Sequence, residues 1–252
     1  MSKFGEAVLR RLSRDPQASD YVNDVYERKH QDSAYYADYL LKLFPEIKDL
    51  IKGKRVLDIG CAEGREAEAL MMLGAGSVEG IDIIIHDPIS MPGINLSIMD
   101  AARTTFPDES FDAVVTCGSF EHFADPEAVL RESTRVLRHG GHIFLTSGVW
   151  CHPYGAHMNF FTNAPWVQFL FSEQTIMNVR KLYRNDGATR FHEVPGGLNK
   201  VGVASFYKIA DSAGLVRKRT YLRPCMGLNL LTRIPVVREF FSNLIIAVLR
   251  KP

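Results

Sequence analysis

The chain has 252 residues, 46% of them hydrophobic and 23% charged, with a formal net charge of +1. That suits a single soluble globular unit carrying an insertion and is ample to bury a core. No secretory leader is expected, since MSKFGEAVLRRLSRD has no apolar core of signal-peptide length, and no membrane span, since the most apolar late run, residues 240–249, is short and interrupted by Ser242 and Asn243.

Residues 16–44 read as helical, starting at Asp15-Pro16, with Tyr21, Val25, Tyr36, Tyr39, Leu40 and Leu43 spaced for amphipathic faces and Pro45 as the stop. From Lys54 the texture changes. RVLDIG is a short apolar strand, GREAEALMML a helix closed by Gly74-Ala75-Gly76, SVEGID a second strand and INLSIMD a third. FDAVVTC is a fourth strand. DPEAVLRESTRVL follows as a helix with Asp125 as N-cap and Pro126 in first position, and Gly140-Gly141 leads into a fifth strand, HIFLTS. Residues 149–200 break the rhythm: they are rich in aromatics and histidines, with a helical piece near 164–184. A helix, VGVASFYKIADSAG, and two strands, LVRKRTYL and NLIIAVLRKP, complete the chain. Such strand–helix alternation, with near-continuous apolar strands, predicts a doubly wound parallel sheet covered on both faces.

In that fold ligands sit beyond the carboxyl ends of the strands, and the first glycine turn, LDIGCAEG, stands there. A dinucleotide fingerprint would require glycines at 62 and 65, where Ala62 and Arg65 stand. Asp58 and Glu63 would also repel a pyrophosphate. The same carboxylates suit the ammonium and sulfonium of S-adenosylmethionine, whose own carboxylate can meet the free N–H groups at residues 64–66. Asp82, ending the second strand, can accept from both ribose hydroxyls; Asp100 can accept from an adenine amino group, with Ala101 offering a backbone N–H.

VLDIGCAEG (56–64), VEGIDI (78–83), MDA (99–101), FPDESFDAVVTCGSFEHFADPEAVLRESTRVLRHGG (106–141) and HIFLTS (142–147), in this order and at these spacings, resemble a class I S-adenosylmethionine-dependent methyltransferase of the small-molecule, type 11-like group. The resemblance covers residues 54–147 by motif and 201–250 by topology. It implies an α/β, Rossmann-like seven-stranded sheet whose last strand, NLIIAVLRKP, inserts antiparallel. An N-terminal helical cap (1–53) would precede the methyltransferase domain (54–252), with 149–200 as a substrate lid inserted after strand 5. It also implies Asp58, Gly60, Cys61, Ala62 and Gly64 around the methionine end, Asp82 and Ile83 at the ribose, Asp100 and Ala101 at the adenine, and Cys117 and Ser119 on the sulfur side. Two departures stand out. Ala62 replaces a usual glycine, tolerable if its φ stays negative, and His139 replaces the proline of the PGG turn.

Methyl transfer from a sulfonium needs alignment above all, and a general base only where the acceptor carries a proton. His122 and His157 are the candidate bases, with Glu121, His152 and Tyr154 nearby. Phe160, Phe161, Trp166, Phe169, Phe171 and Tyr183 are expected to line an acceptor pocket or to form a satellite core. No metal is expected: His152 and His157 lack a helical i, i+4 spacing, and no Asp-rich cluster suits magnesium. A nucleic-acid acceptor is disfavoured, because CGSF stands where the base-methylating enzymes have an N/D-P-P-Y/F segment. The four cysteines form no CxxC pair and read as reduced thiols of a cytoplasmic protein.

Charge is uneven. Residues 201–252 carry nine Lys/Arg against Asp211 and Glu239, a net +7, which leaves −6 elsewhere. A basic end of this kind suits an anionic membrane surface, an acidic substrate or a plain solvated face. The rival to a small-molecule enzyme acting on oxygen or nitrogen is therefore a non-catalytic binding subunit of the same fold, peripheral to a membrane through 217–251. The sequence is silent on oligomeric state.

Overall fold

A strand whose side chains are apolar on both faces is stable only with helices packed on each side. RVLDI is such a strand: four of its five residues are buried. The computed structural model describes residues 2–15, 32–184, 186–194, 197–225 and 227–252. The expected helical positions Pro16, Tyr21 and Val25 lie outside the described residues.

The elements are α1 (Ser2–Arg11), α2 (Ser33–Leu43), α3 (Ile47–Ile51), β1 (Arg55–Ile59), α4 (Arg65–Met72), β2 (Ser77–Asp82), β3 (Ile94–Ile98), β4 (Phe111–Thr116), α5 (Pro126–Val136), β5 (Leu137–Gly148), α6 (Val167–Leu170), α7 (Glu173–Arg180), α8 (Val203–Ser212), β6 (Val216–Pro224), α9 (Val237–Phe241) and β7 (Ser242–Arg250). The seven strands form one sheet in the order β3-β2-β1-β4-β5-β7-β6. Strands β1 to β5 pair in parallel, and β7 inserts antiparallel to both β5 and β6. The order reverses between β1 and β4, which opens a crevice at their carboxyl ends.

Two cores sandwich the sheet. On one face Leu130 and Val136 of α5 and Phe206 and Ala210 of α8 meet Leu57, Val114 and Leu145. On the other, Leu40 of α2, Ile47 of α3 and Leu70 of α4 meet Val56, Val115 and Phe144. Local signals set the helix starts as expected: Asp125 accepts from the Ala128 N–H at 2.9 Å, with Pro126 at the first turn. Among the described residues no helix is long and apolar enough to cross a membrane.

The stretch expected as one N-terminal cap is divided. Helices α2 and α3 pack on the sheet, held by Arg219 of β6, which grips Glu46 through both carboxylate oxygens (2.9 and 3.2 Å) and the Leu43 carbonyl (2.7 Å). Helix α1 instead joins a third core made by the insertion, where Leu9 is buried with Phe161, Ile176 and Phe191. The helical piece expected at 164–184 is two short helices, because Phe171 turns extended and Ser172 caps α7 anew by accepting from Thr175 N–H.

Candidate active site

The first turn is shaped by close approach. Gly60 has φ +83°, and a Cβ there would lie 2.2 Å from the Ser119 hydroxyl, so only glycine brings the β1 turn against the loop after β4. Gly64 (φ +95°) caps α4 without a side chain, leaving the first amides of the helix without a side-chain cap. Ala62 does not meet the condition of a negative φ: it sits at φ 46°, in the left-handed region. The turn imposes this by aiming the Ala62 N–H at Asp82 Oδ2, 3.0 Å away, a contact that offsets the roughly 1–2 kcal/mol cost of alanine in that region.

Asp58 is fully buried at the end of β1, and neither carboxylate oxygen has a hydrogen-bond partner among the described residues. Burial, and then the Asp82 charge, push its pKa up to about 7. Glu66, on the first turn of α4, is pushed up as well by burial and by Asp58. The neighbouring thiols of Cys61 and Cys117 are raised by burial and by these acids, so both are neutral rather than nucleophilic. A buried carboxyl with unmet hydrogen-bonding capacity, beside a second acid, is costly, and a cation next to it would relieve both the desolvation and the repulsion. The site therefore fits the ammonium of S-adenosylmethionine. Sequence reasoning missed Glu66, which reads there as one acid of an ordinary amphipathic helix.

Beside the turn lies a cleft of about 680 Å³. Six of the expected residues line it: Gly60, Asp82, Ile83, Asp100, Ala101 and Ser119. Asp82 also accepts from the Ile84 N–H at 3.2 Å and Asp100 from the Ala102 N–H at 2.9 Å, so each acid is oriented by the loop that follows it. Asp58, Cys61, Ala62, Gly64 and Cys117 stand around or behind the turn rather than on the cleft wall. The remaining wall includes Met99, Phe123 and Val129, together with His192, Val194 and Gly197 from the insertion.

His122 lines this cleft. Its Nδ1 donates to the Gly197 carbonyl at 2.7 Å, a tautomer assigned from the bond itself, which leaves Nε2 as the acceptor nitrogen. Asn199 fixes the same loop by donating to the Phe120 and Phe123 carbonyls (2.7 and 3.0 Å). His157 does not line the cleft. Its ring meets that of His122 from behind, 5.4 Å between centroids, and borders a small second cavity with Glu121. Burial and the neighbouring His122 push the His157 pKa down, to about 4, against the Glu121 carboxylate, which raises it. His152, half-buried, is also pushed down to about 4 by burial and accepts from the Tyr154 N–H; neither it nor Tyr154 reaches the cleft.

None of the six aromatics expected at an acceptor pocket lines the cleft. Phe160 and Phe161 are buried in the third core, Tyr183 stacks on Phe161 at 5.1 Å, and Phe171 packs there too. Trp166 donates to the Cys151 carbonyl, and Phe169 faces solvent. The satellite-core alternative holds for Phe160, Phe161, Phe171 and Tyr183, and the insertion contributes His192, Val194 and Gly197 to the cleft instead. Two arginines of the basic strip on β6 have partners: Arg219 holds Glu46, and Arg217 pairs with Asp211 at 3.5 Å and lies over Tyr207.

A methyltransferase-domain family model matches residues 57–145. The aklanonic acid methyltransferase DauC of a Streptomyces species is 34% identical over 154 residues, covering 53% of this chain and 69% of that relative. The ubiquinone biosynthesis O-methyltransferase of Xanthomonas oryzae pv. oryzae is 33% identical over 106 residues, 38% of this chain and 44% of its own. Several such relatives are thus spanned for less than half their length. Among solved structures, the S-adenosylmethionine dependent methyltransferase from Mesorhizobium loti aligns with a TM-score of 0.56 at 16% identity, over 82% of this chain and 96% of that one, a likeness of fold.

Proposed function

The chain belongs to the class I S-adenosylmethionine-dependent methyltransferases, and from that premise we propose that it methylates an oxygen or nitrogen of a small organic acceptor. The observation that carries this reading is the buried Asp58 carboxylate without a partner, backed by Glu66, at the foot of an acid-lined cleft. The Xanthomonas relative is named an O-methyltransferase, which favours oxygen.

In this reading Asp58 and Glu66 hold the cofactor's ammonium, Asp82 its ribose hydroxyls, and Asp100 with Ala101 its adenine. Gly60 and Ser119 set how closely the backbone approaches. When bound, S-adenosylmethionine supplies a sulfonium methyl for in-line displacement by the acceptor atom. The chain's own contribution is alignment in a walled cleft, worth several kcal/mol of the barrier by analogy with intramolecular reactions. His122 Nε2 takes the acceptor's proton where there is one, with Gly197 holding the ring; His157 stays neutral behind it and adds no competing charge.

Calorimetric titration with S-adenosylmethionine and, separately, NADH tests the reading. S-adenosylmethionine should bind, NADH should not, and Asp82→Ala should weaken binding at least about tenfold, the loss of hydrogen bonds to a charged acceptor. No binding of S-adenosylmethionine, or tighter binding of NADH, would refute it.

A further inference from the structure

Because β7 is antiparallel to both its neighbours, β6 runs with β1 to β5, and the excursion 225–241 leaves its carboxyl end. That is the edge of the sheet on which the cleft opens. Several of the excursion's apolar side chains stay outside the core. Leu230 is 72% and Val236 74% exposed, and Leu228 and Ile234 are exposed beside them. Helix α6 adds exposed Phe169 and Leu170, joined to the excursion where Phe169 meets the exposed Phe240, 5.9 Å between ring centroids. Scattered apolar side chains are ordinary on a surface, but a contiguous rim of them is not.

The charges around this rim have one sign. Glu239 is the single acid between 213 and 252, and its carboxylate is turned inward to accept from the Val203 and Ala204 N–H groups, each at 2.7 Å. Glu173, beside α6, is occupied by the Phe191 N–H. Arg233 remains exposed on the rim itself, while Arg238, half-buried, lies over the Tyr207 ring. The rim also offers few hydrogen bonds: the Thr232 hydroxyl is already used on the Asn229 carbonyl. A protein partner ordinarily exchanges about one hydrogen bond per 100–200 Å² of interface, whereas the exposed tips at Leu228, Leu230, Ile234 and Val236 are aliphatic. Exposed aliphatic tips beside an exposed arginine, with no exposed acid between 213 and 252, match the headgroup–acyl boundary of an anionic bilayer.

We propose that the rim formed by residues 228–240 with Phe169 and Leu170 docks the protein, cleft edge first, onto an anionic phospholipid surface. The basic strand β6, whose arginines hold Glu46 and Asp211, is not the contact. The proposal stands apart from the methyl-transfer reading, because its readout is vesicle binding with no cofactor or acceptor present.

The test is co-sedimentation of the full chain with vesicles of phosphatidylcholine, alone or mixed with phosphatidylglycerol, at low and high salt. The protein should follow the mixed vesicles at low salt and be released by high salt. Arg233→Gln should weaken partitioning about fivefold, equivalent to about 1 kcal/mol for one basic side chain near the surface. Leu230→Ser with Val236→Ser should weaken it at least about tenfold. Both side chains are exposed, so unchanged thermal melts would show that the fold is intact. No sedimentation at low salt would overturn the proposal. So would unaltered binding by the double variant, or a solution dimer that this variant dissociates while vesicle binding is absent.

Discussion

Replacing Asp58 with asparagine separates two quantities that usually fall together. The free protein should become more stable at alkaline pH, while its affinity for S-adenosylmethionine falls. Burial and the Asp82 charge raise the Asp58 pKa from its ordinary 3.8 to about 7. An acid raised in the folded state leaves stability intact below the unfolded value and erodes it as pH climbs through the folded one. At about 1.4 kcal/mol per pKa unit, three units cost about 4 kcal/mol by the time Asp58 is fully ionised. That is a ceiling, since Glu66 shares the cost and an asparagine amide brings hydrogen-bonding needs of its own. A domain of this size shifts by about 2–4 °C per kcal/mol. Thermal melts of cofactor-free protein should therefore show the wild type losing stability between about pH 4 and pH 7, the window set by the shift. Asp58→Asn should flatten that decline and melt several degrees higher on its alkaline side. Calorimetry on the same samples should show at least about tenfold weaker S-adenosylmethionine binding, as a charge-assisted contact is lost. A variant that melts lower than wild type at alkaline pH, with the same pH profile, would mean that the folded protein keeps Asp58 ionised and satisfied, and the reasoning would be wrong.

Three further outcomes follow from the same geometry. His122→Gln should lower kcat by about 10²- to 10⁴-fold for a proton-bearing acceptor and leave cofactor affinity unchanged; an unaffected kcat would remove His122 as a base. Ala62→Gly should relieve the left-handed alanine at φ 46° and raise the melting temperature by a few degrees, whereas a lower one would mean that the turn gains from its methyl group. Asn199→Ala should cost about 1–3 kcal/mol and reduce kcat more than cofactor affinity, because it frees the loop that carries His122; equal losses in both would contradict that division.

The sheet was legible because each strand advertises itself locally. Apolar runs bounded by Gly60 and Gly74 set β1 and β2, Asp125-Pro126 starts α5 where expected, and HIFLTS lies within β5, which begins earlier than expected, at Leu137. Asp82 and Asp100 were legible for the same reason, as acids at strand ends whose place in the fold follows from alternation alone. What escaped was set at long range. The positive φ of Ala62 is imposed by Asp82, 20 residues away. The insertion's aromatics carry no mark of what they pack against, and their partner is Leu9, in a helix far earlier in the chain. Arg217 and Arg219 resemble a free basic strip until Asp211 and Glu46 are brought beside them. Glu66 sits on a helix whose pattern allows an acid anywhere on its polar side. Only the nearby end of β1 turns it into the second acid beside a buried one.

The claim at the centre of this account is that a buried carboxyl, Asp58, raised in pKa by burial and standing beside a second raised acid, Glu66, receives a cation. Calorimetry of S-adenosylmethionine binding near neutral pH, repeated in buffers of different ionisation enthalpy, counts the protons exchanged. The account predicts net release, because the ammonium favours the ionised forms of Asp58 and Glu66. Binding with no proton exchange, or with uptake, would contradict it.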